Sequence, residues 1–294
     1  MDGRDEQLAN VEVAVLSVIF FLALVGNGLM LWALPRRPAF AYMKRLCVAD
    51  TLVAIFNILP QLAWDVTYRF RGGMFLCKLI KYLQVSVLYL SSYTLVSLTV
   101  DRCLARPSLV LVGMPWVLAA FFAIPQMFVF AMRQVRPSIY DCWASFEGPW
   151  AERLYVVWFV VSVFLGPALA TVVCYGTLWY RVWRARLPLL STVRITLVLI
   201  VCFVVCWIPF SVTQLLVTFS NDAHEASQGP LVTIFLLLAS LNSCTNPWVY
   251  LVLSPALRNR LRHLCRVDRN HEPEDSDEAS DVTATVAQQT SEAL

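Results

Sequence analysis

The chain has 294 residues, of which 59% are hydrophobic and 15% charged, with a mean hydropathy of +0.64 and a formal net charge of +3. Soluble globular proteins average about 25% charged and about 45–50% apolar residues, so this composition excludes an ordinary cytosolic enzyme and, more firmly, a disordered chain. The basic residues are scattered between hydrophobic runs without an extended basic surface, so no nucleic-acid partner is expected. The opening stretch, Met1 to Glu6, is not expected to be a cleavable signal, because the run that follows is too long and lacks a small-residue cleavage site. Unbroken hydrophobic runs then lie at roughly 11–34, 40–64, 75–104, 108–131, 150–180, 192–219 and 229–253, each long enough to span a bilayer as a helix. The alternating ten-residue segments of a membrane barrel do not occur.

Seven crossings put the two ends on opposite sides, and Lys and Arg choose between them. Of the 23 basic residues, 15 fall on the side of the carboxyl-terminal tail, among them Arg36, Arg37, Lys44, Arg45, Arg102, Arg106, Arg181, Arg184, Arg186 and Arg194. The tail is therefore expected in the cytoplasm and the amino terminus outside. After the last run, Ser254-Pro255 breaks the helix, and a basic amphipathic stretch carries Leu257, Leu261 and Leu264 along one face, suited to lie on membrane lipid. Cys265 at its end is a palmitoylation candidate, with an unmodified thiol as the plain alternative. The expected layout is a terminus at 1–10, a seven-helix domain at 11–253, an amphipathic surface helix at 254–266 and a disordered acidic tail at 267–294. That tail holds eight of the 20 acids.

Ionisable and helix-breaking residues inside such runs are costly and seldom idle. Asp50 sits mid-way along the second run, and Asp101-Arg102 closes the third. Cys206-Trp207-Ile208-Pro209 lies in the sixth and Asn246-Pro247-Trp248-Val249-Tyr250 in the seventh. Any one of these has a plain structural reading. The ordered set is different: with Gly26-Asn27, Leu46-x-x-x-Asp50, Asp101-Arg102-Cys103, Trp116, Pro167 and Tyr175, it resembles the class A (rhodopsin-like) G-protein-coupled receptors from about Asp2 to Cys265.

The resemblance implies an all-α seven-transmembrane bundle with a short eighth helix. Asp101 would restrain Arg102 at rest, and Tyr175 and Tyr250 would move towards Arg102 on activation, with Trp207, Asn246 and Pro247 as further switches. Asp50, Ser91 and Asn242 match the family's sodium pocket, so an allosteric sodium ion is expected and no other cofactor. Long stretches narrow the match: Leu59 to Gly72, Lys78 to Gln84, Asp141-Cys142-Trp143-Ala144 with Pro149-Trp150, and Ala239 to Trp248 are similar to receptors for vasopressin, oxytocin and vasotocin. These bind a cyclic nonapeptide hormone. On that resemblance Arg4, Glu12, Asn57, Gln61, Lys81, Gln84, Gln126, Trp207, Phe210 and Gln214 are the candidate ligand residues. Neutral amides suit peptide groups without the cost of a buried charge. Asn57 stands where the family usually has glutamine. Cys77 and Cys142 both face the oxidising side, which favours a disulfide over two free thiols.

The resemblance further implies a plasma-membrane receptor, not an enzyme, that activates a heterotrimeric G protein through cyclic AMP or calcium and meets arrestin through its tail. Thr245 and Phe130-Ala131-x-Arg133 resemble the cyclase-stimulating branch; Asp65 and Asp101-Arg102-Cys103 resemble the calcium-mobilising and oxytocin branches. The chain departs from the family in its short cytoplasmic connections, around Pro35-Arg36-Arg37-Pro38, Arg106-Pro107 and Arg186-Leu187-Pro188, and in Arg45, where a small or amide residue is usual. The alternative reading is a loop-shortened isoform that binds hormone or pairs with full-length receptors without signalling.

Overall fold

A computed structural model describes residues 6–35, 40–104, 109–136, 139–184, 191–220, 230–254 and 257–262. Arg4, Cys265 and the acidic tail lie outside the described residues, as do the short connections at 36–39, 105–108 and 185–190. Seven long helices follow in chain order: α1 (Glu6–Ala33), α2 (Ala41–Thr67), α3 (Met74–Leu104), α4 (Leu109–Val129), α5 (Pro149–Arg184), α6 (Ser191–Phe219) and α7 (Pro230–Leu253). Among the described residues six helices, α1 to α6, are long and apolar enough to cross a bilayer. The seventh has 24 residues, about 36 Å at 1.5 Å per residue against a hydrocarbon core of about 30 Å. Residues 257–262 are helical beyond it, and Leu257 packs into the core as the amphipathic pattern requires.

Proline sets the local shape of the helices. A proline ring clashes with the carbonyl four residues back and supplies no N–H. In α2 and α5 the clash is relieved by a π turn, over Ala54–Ile58 ahead of Pro60 and over Val161–Leu165 ahead of Pro167. In each, the N–H of the following residue (Leu59, Gly166) reaches back five residues instead of four. In α4 the main helix stops at Phe122, Pro125 follows, and Gln126–Val129 forms one more turn.

The chain then leaves the fourth hydrophobic run as a strand, inside the stretch 108–131 expected to be helical. Strand β1 (Phe130–Arg136) pairs antiparallel with β2 (Ile139–Ala144), with Met132 opposite Cys142. A Cys77–Cys142 disulfide ties this hairpin to the start of α3. Asp141 ties it to the α2–α3 turn, where its Oδ1 accepts from Phe70 N at 3.1 Å and from Cys142 N at 2.8 Å.

The core runs along the middle of the bundle, from Met30, Leu46 and Leu98 to Phe203, Trp207 and Tyr250. Gly26 fixes how closely α1 meets α7, since a Cβ there would stand 2.8 Å from Pro247 Cγ. Next to it Asn27 is fully buried, and its Nδ2 donates to Ala23 O and, across the interface, to Ser243 O at 3.1 Å.

Candidate functional site

A cavity of about 310 Å³ opens towards the hairpin end of the bundle. Four helices, α1, α2, α6 and α7, present polar or aromatic groups to it: Glu12, then Asn57, Gln61 and Asp65, then Trp207 and Phe210, then Ser240. Gln61 and Asp65 are one helical turn apart and joined, with Gln61 Nε2 donating to Asp65 Oδ1 at 3.0 Å. The α1–α2 side therefore offers two amides, Asn57 and Gln61, and two acids, Glu12 and Asp65, and the floor is aromatic. Trp207 is 2% exposed, and its indole N–H is without a hydrogen-bond partner. Its ring contacts Phe210 at 5.7 Å and Phe203 at 6.1 Å; Phe203 in turn meets Phe164, and Phe210 meets Phe159. An aromatic column thus joins the cavity floor to α5.

The cavity brings together Glu12, Asn57, Gln61, Trp207 and Phe210 of the expected ligand residues. Lys81 stands beside it, with Nζ 4.3 Å from the Trp64 ring and 5.6 Å from the Phe130 ring, a cation held between two aromatic faces. Gln84 is buried and donates to the Asn57 carbonyl at 3.3 Å. Gln126 is buried against α5, where its amide bonds the Tyr155 hydroxyl. Gln214 is half-buried on α6, outside the cavity wall. Asp65 and Ser240 line the cavity and were not among the expected ligand residues. Asp65 was foreseeable, four residues after Gln61 and hence on the same helix face.

Mid-bundle, Asp50 has no exposed surface. Ser91 Oγ donates to its Oδ1 at 2.6 Å, Asn246 Nδ2 donates to its Oδ2 at 2.7 Å, and Ser243 supplies a further hydrogen bond. The buried side-chain oxygens Asn242 Oδ1 and Asn246 Oδ1 have no hydrogen-bond partner. The carboxylate, the Ser91 hydroxyl and the unpartnered oxygen of Asn246 beside it, with Asn242 one turn earlier on the same face of α7, offer oxygen ligands of the kind a hard cation takes.

At the far end, Asp101 lies within electrostatic reach of Arg102 and of Arg45. Tyr175 on α5 donates to Val193 O on α6 at 3.5 Å, and Tyr250 is fully buried with its hydroxyl unpartnered. Two contacts that sequence reading missed join α3 to α5: Arg181 Nη1 donates to Cys103 O at 2.9 Å, and Cys103 Sγ meets Thr177 Oγ1 at 3.0 Å.

The family model described as "7 transmembrane receptor (rhodopsin family)" matches residues 26–250. The vasopressin V2 receptor of Sus scrofa is 37% identical, with 93% of this chain and 86% of that protein covered. The human vasopressin V2 receptor is 35% identical over the same shares, and the oxytocin receptor of Ovis aries is 35% identical over 89% and 81%. The chain belongs to the vasopressin/oxytocin receptors of the rhodopsin family. It is accordingly a multi-pass receptor of the plasma membrane and not an enzyme. In this receptor the Asn246-Pro247-x-x-Tyr250 segment of α7 meets α1 at Gly26 and α2 at Asp50, so one segment touches both neighbours.

Proposed function

We propose that this receptor binds a cyclic nonapeptide of the vasopressin, vasotocin or oxytocin type in the cavity at the hairpin end, with that end and the amino terminus outside the cell. Binding would be transmitted to a heterotrimeric G protein at the cytoplasmic end. The observation that carries the reading is the cavity itself, in which polar groups from α1, α2 and α7 converge above the buried Trp207. Convergent polar groups in a concave, largely apolar site are the ordinary signature of a ligand pocket. A peptide backbone asks for both donors and acceptors, which Asn57 and Gln61 supply as amides. Glu12 and Asp65 add negative charge suited to a basic hormone side chain or amino terminus.

Transmission would run from Trp207 through Phe203 to Phe164, and through Asn246 to Asp50. A ligand shifts the bundle only by binding one arrangement better than the other. The oxygen set around Asp50, Ser91 and Asn242 would hold sodium, whose charge would balance the buried carboxylate and favour the resting arrangement.

A second reading keeps the hormone site and drops signalling. Only four residues separate Leu104 from Leu109, and six separate Arg184 from Ser191. Connections of 2–8 residues can close antiparallel helices, but they leave little chain for a G protein to grip. One experiment separates the readings: a panel of nonapeptide hormones on cells expressing the receptor, with binding, cyclic AMP and calcium read together. The receptor reading expects nanomolar binding and a response in one channel. The isoform reading expects binding alone. Absence of binding to every nonapeptide overturns both. Gln61→Ala should weaken binding by about tenfold, the loss of roughly 1.4 kcal/mol, with surface expression unchanged.

A further inference from the structure

A second cleft, of about 140 Å³, lies between α2, α3 and α4 towards the far end of the bundle. Its chemistry is unlike that of the surrounding lipid-facing surface. Lys44 and Arg45 line it from α2, Ser97 from α3, and Leu111 and Trp116 from α4. Ser97 is 1% exposed, and its hydroxyl has no hydrogen-bond partner. Arg45 is held in place by Tyr42, whose buried ring lies 4.6 Å below the guanidinium carbon. Val48 and Trp116, at 39% and 51% exposed, place apolar surface beside the opening. None of the lining residues is acidic; Asp101, within electrostatic reach of Arg45, lies outside the lining.

We propose that this cleft binds the headgroup of an anionic phospholipid from the adjoining leaflet, with the phosphate on Arg45 and Lys44, a headgroup oxygen on Ser97 and the acyl chains along Trp116. Each part of the cleft requires something that such a lipid supplies. Two cations beside hydrocarbon are costly unless an anion answers them, and an arginine fork matches a phosphate in two places at once. A buried hydroxyl without a partner costs about 1–3 kcal/mol until one arrives. Depth agrees as well: Arg45 lies four residues inside the start of α2, about 6 Å along the axis at 1.5 Å per residue, within snorkelling reach of the phosphate layer. Size separates the candidates. A cleft of about 140 Å³ takes a phosphate and its neighbouring headgroup atoms and is too small for the fused rings of a sterol. A sterol would also bring no anion to either cation.

The test uses the full chain in nanodiscs of phosphatidylcholine containing phosphatidylserine or cholesterol, with a phosphatidylserine probe that carries a photoreactive headgroup. Crosslinks in the unaltered protein should map to the α2, α3 and α4 segments around Arg45, Ser97 and Leu111, and native mass spectrometry should retain phosphatidylserine in preference to phosphatidylcholine. Arg45→Gln should lower that retention about fivefold, the factor for roughly 1 kcal/mol per basic side chain at a charged leaflet. Ser97→Leu, which plugs the cleft and leaves both charges, should lower it similarly, and Arg258→Gln, outside the cleft, should not. Crosslinks elsewhere, equal retention of phosphatidylcholine or cholesterol, or an equal loss in Arg258→Gln would overturn the proposal. The crosslinking result stands on the unaltered protein, so it decides the matter even where a variant fails to fold.

Discussion

At Asp50 hydroxyl and amide groups from α3 and α7 converge on a carboxylate with no exposed surface. Its importance was legible in the sequence because an acid inside an apolar run carries a desolvation cost that must be met somewhere. Ser243 and Asn27 were not legible in this way. A serine or asparagine in a helix can satisfy itself on the carbonyl one turn back, as Asn27 partly does on Ala23. Gln126 illustrates the same limit. Its residue type and depth suit a hormone contact, yet a rotation about the helix axis decides whether an amide meets the cavity or the neighbouring Tyr155. The sodium proposal gives a direct test at this residue. With sodium replaced by an equal concentration of N-methylglucamine, agonist affinity of the unaltered receptor should rise by roughly fivefold, the low end of ordinary allosteric couplings. In Asp50→Asn that sensitivity should vanish, because the variant lacks the charge that holds the ion. Equal sodium sensitivity in the two proteins would remove the ion from this site.

The seven helices were legible as elements because apolar length is a strong signal and lipid tolerates few other structures. Their ends were less so. The strand at Phe130 continues an apolar run, and nothing local distinguishes it from one more helical turn. What makes it a strand is non-local: a pairing partner at 139–144, a disulfide to α3, and a carboxylate that caps two backbone N–H groups. Asp141 is therefore expected to matter more than its half-buried position suggests. Asp141→Ala leaves the Phe70 and Cys142 N–H groups without their acceptor, at about 1–3 kcal/mol for a charge-assisted bond lost from a protected position. Amide exchange at Phe70 and along 139–144 should quicken, with α1 and α7 unaffected. Asp141→Asn, which keeps an acceptor oxygen, should restore part of the protection. Unchanged exchange in Asp141→Ala would mean that the disulfide alone holds the hairpin.

Considered whole, the receptor is tied differently at its two ends. At the hairpin end a covalent bridge and a paired ribbon hold α3 to the loop after α4. At the far end α3, α5 and α6 are joined by hydrogen bonds, Arg181 to Cys103 O, Cys103 Sγ with Thr177 Oγ1, and Tyr175 to Val193 O. Bonds of this kind contribute about 1 kcal/mol each, so they can hold a resting arrangement and still yield to a ligand's differential affinity. Arg181→Ala removes the shortest of these links, at 2.9 Å. If that link belongs to the resting arrangement, its loss shifts the resting-to-open equilibrium by about fivefold, the factor for roughly 1 kcal/mol. In a coupling receptor basal cyclic AMP or calcium should rise accordingly. The same shift can be read where no G protein engages. Linkage is reciprocal, so a change that favours the open bundle at one end raises agonist affinity at the other by as much as the agonist's own preference allows. Nonapeptide affinity should therefore increase in Arg181→Ala, up to about fivefold, while affinity for an antagonist indifferent to the two arrangements stays constant. Equal shifts for agonist and antagonist would show that Arg181 merely shapes the pocket, and no shift in either would show that the contact with Cys103 survives opening.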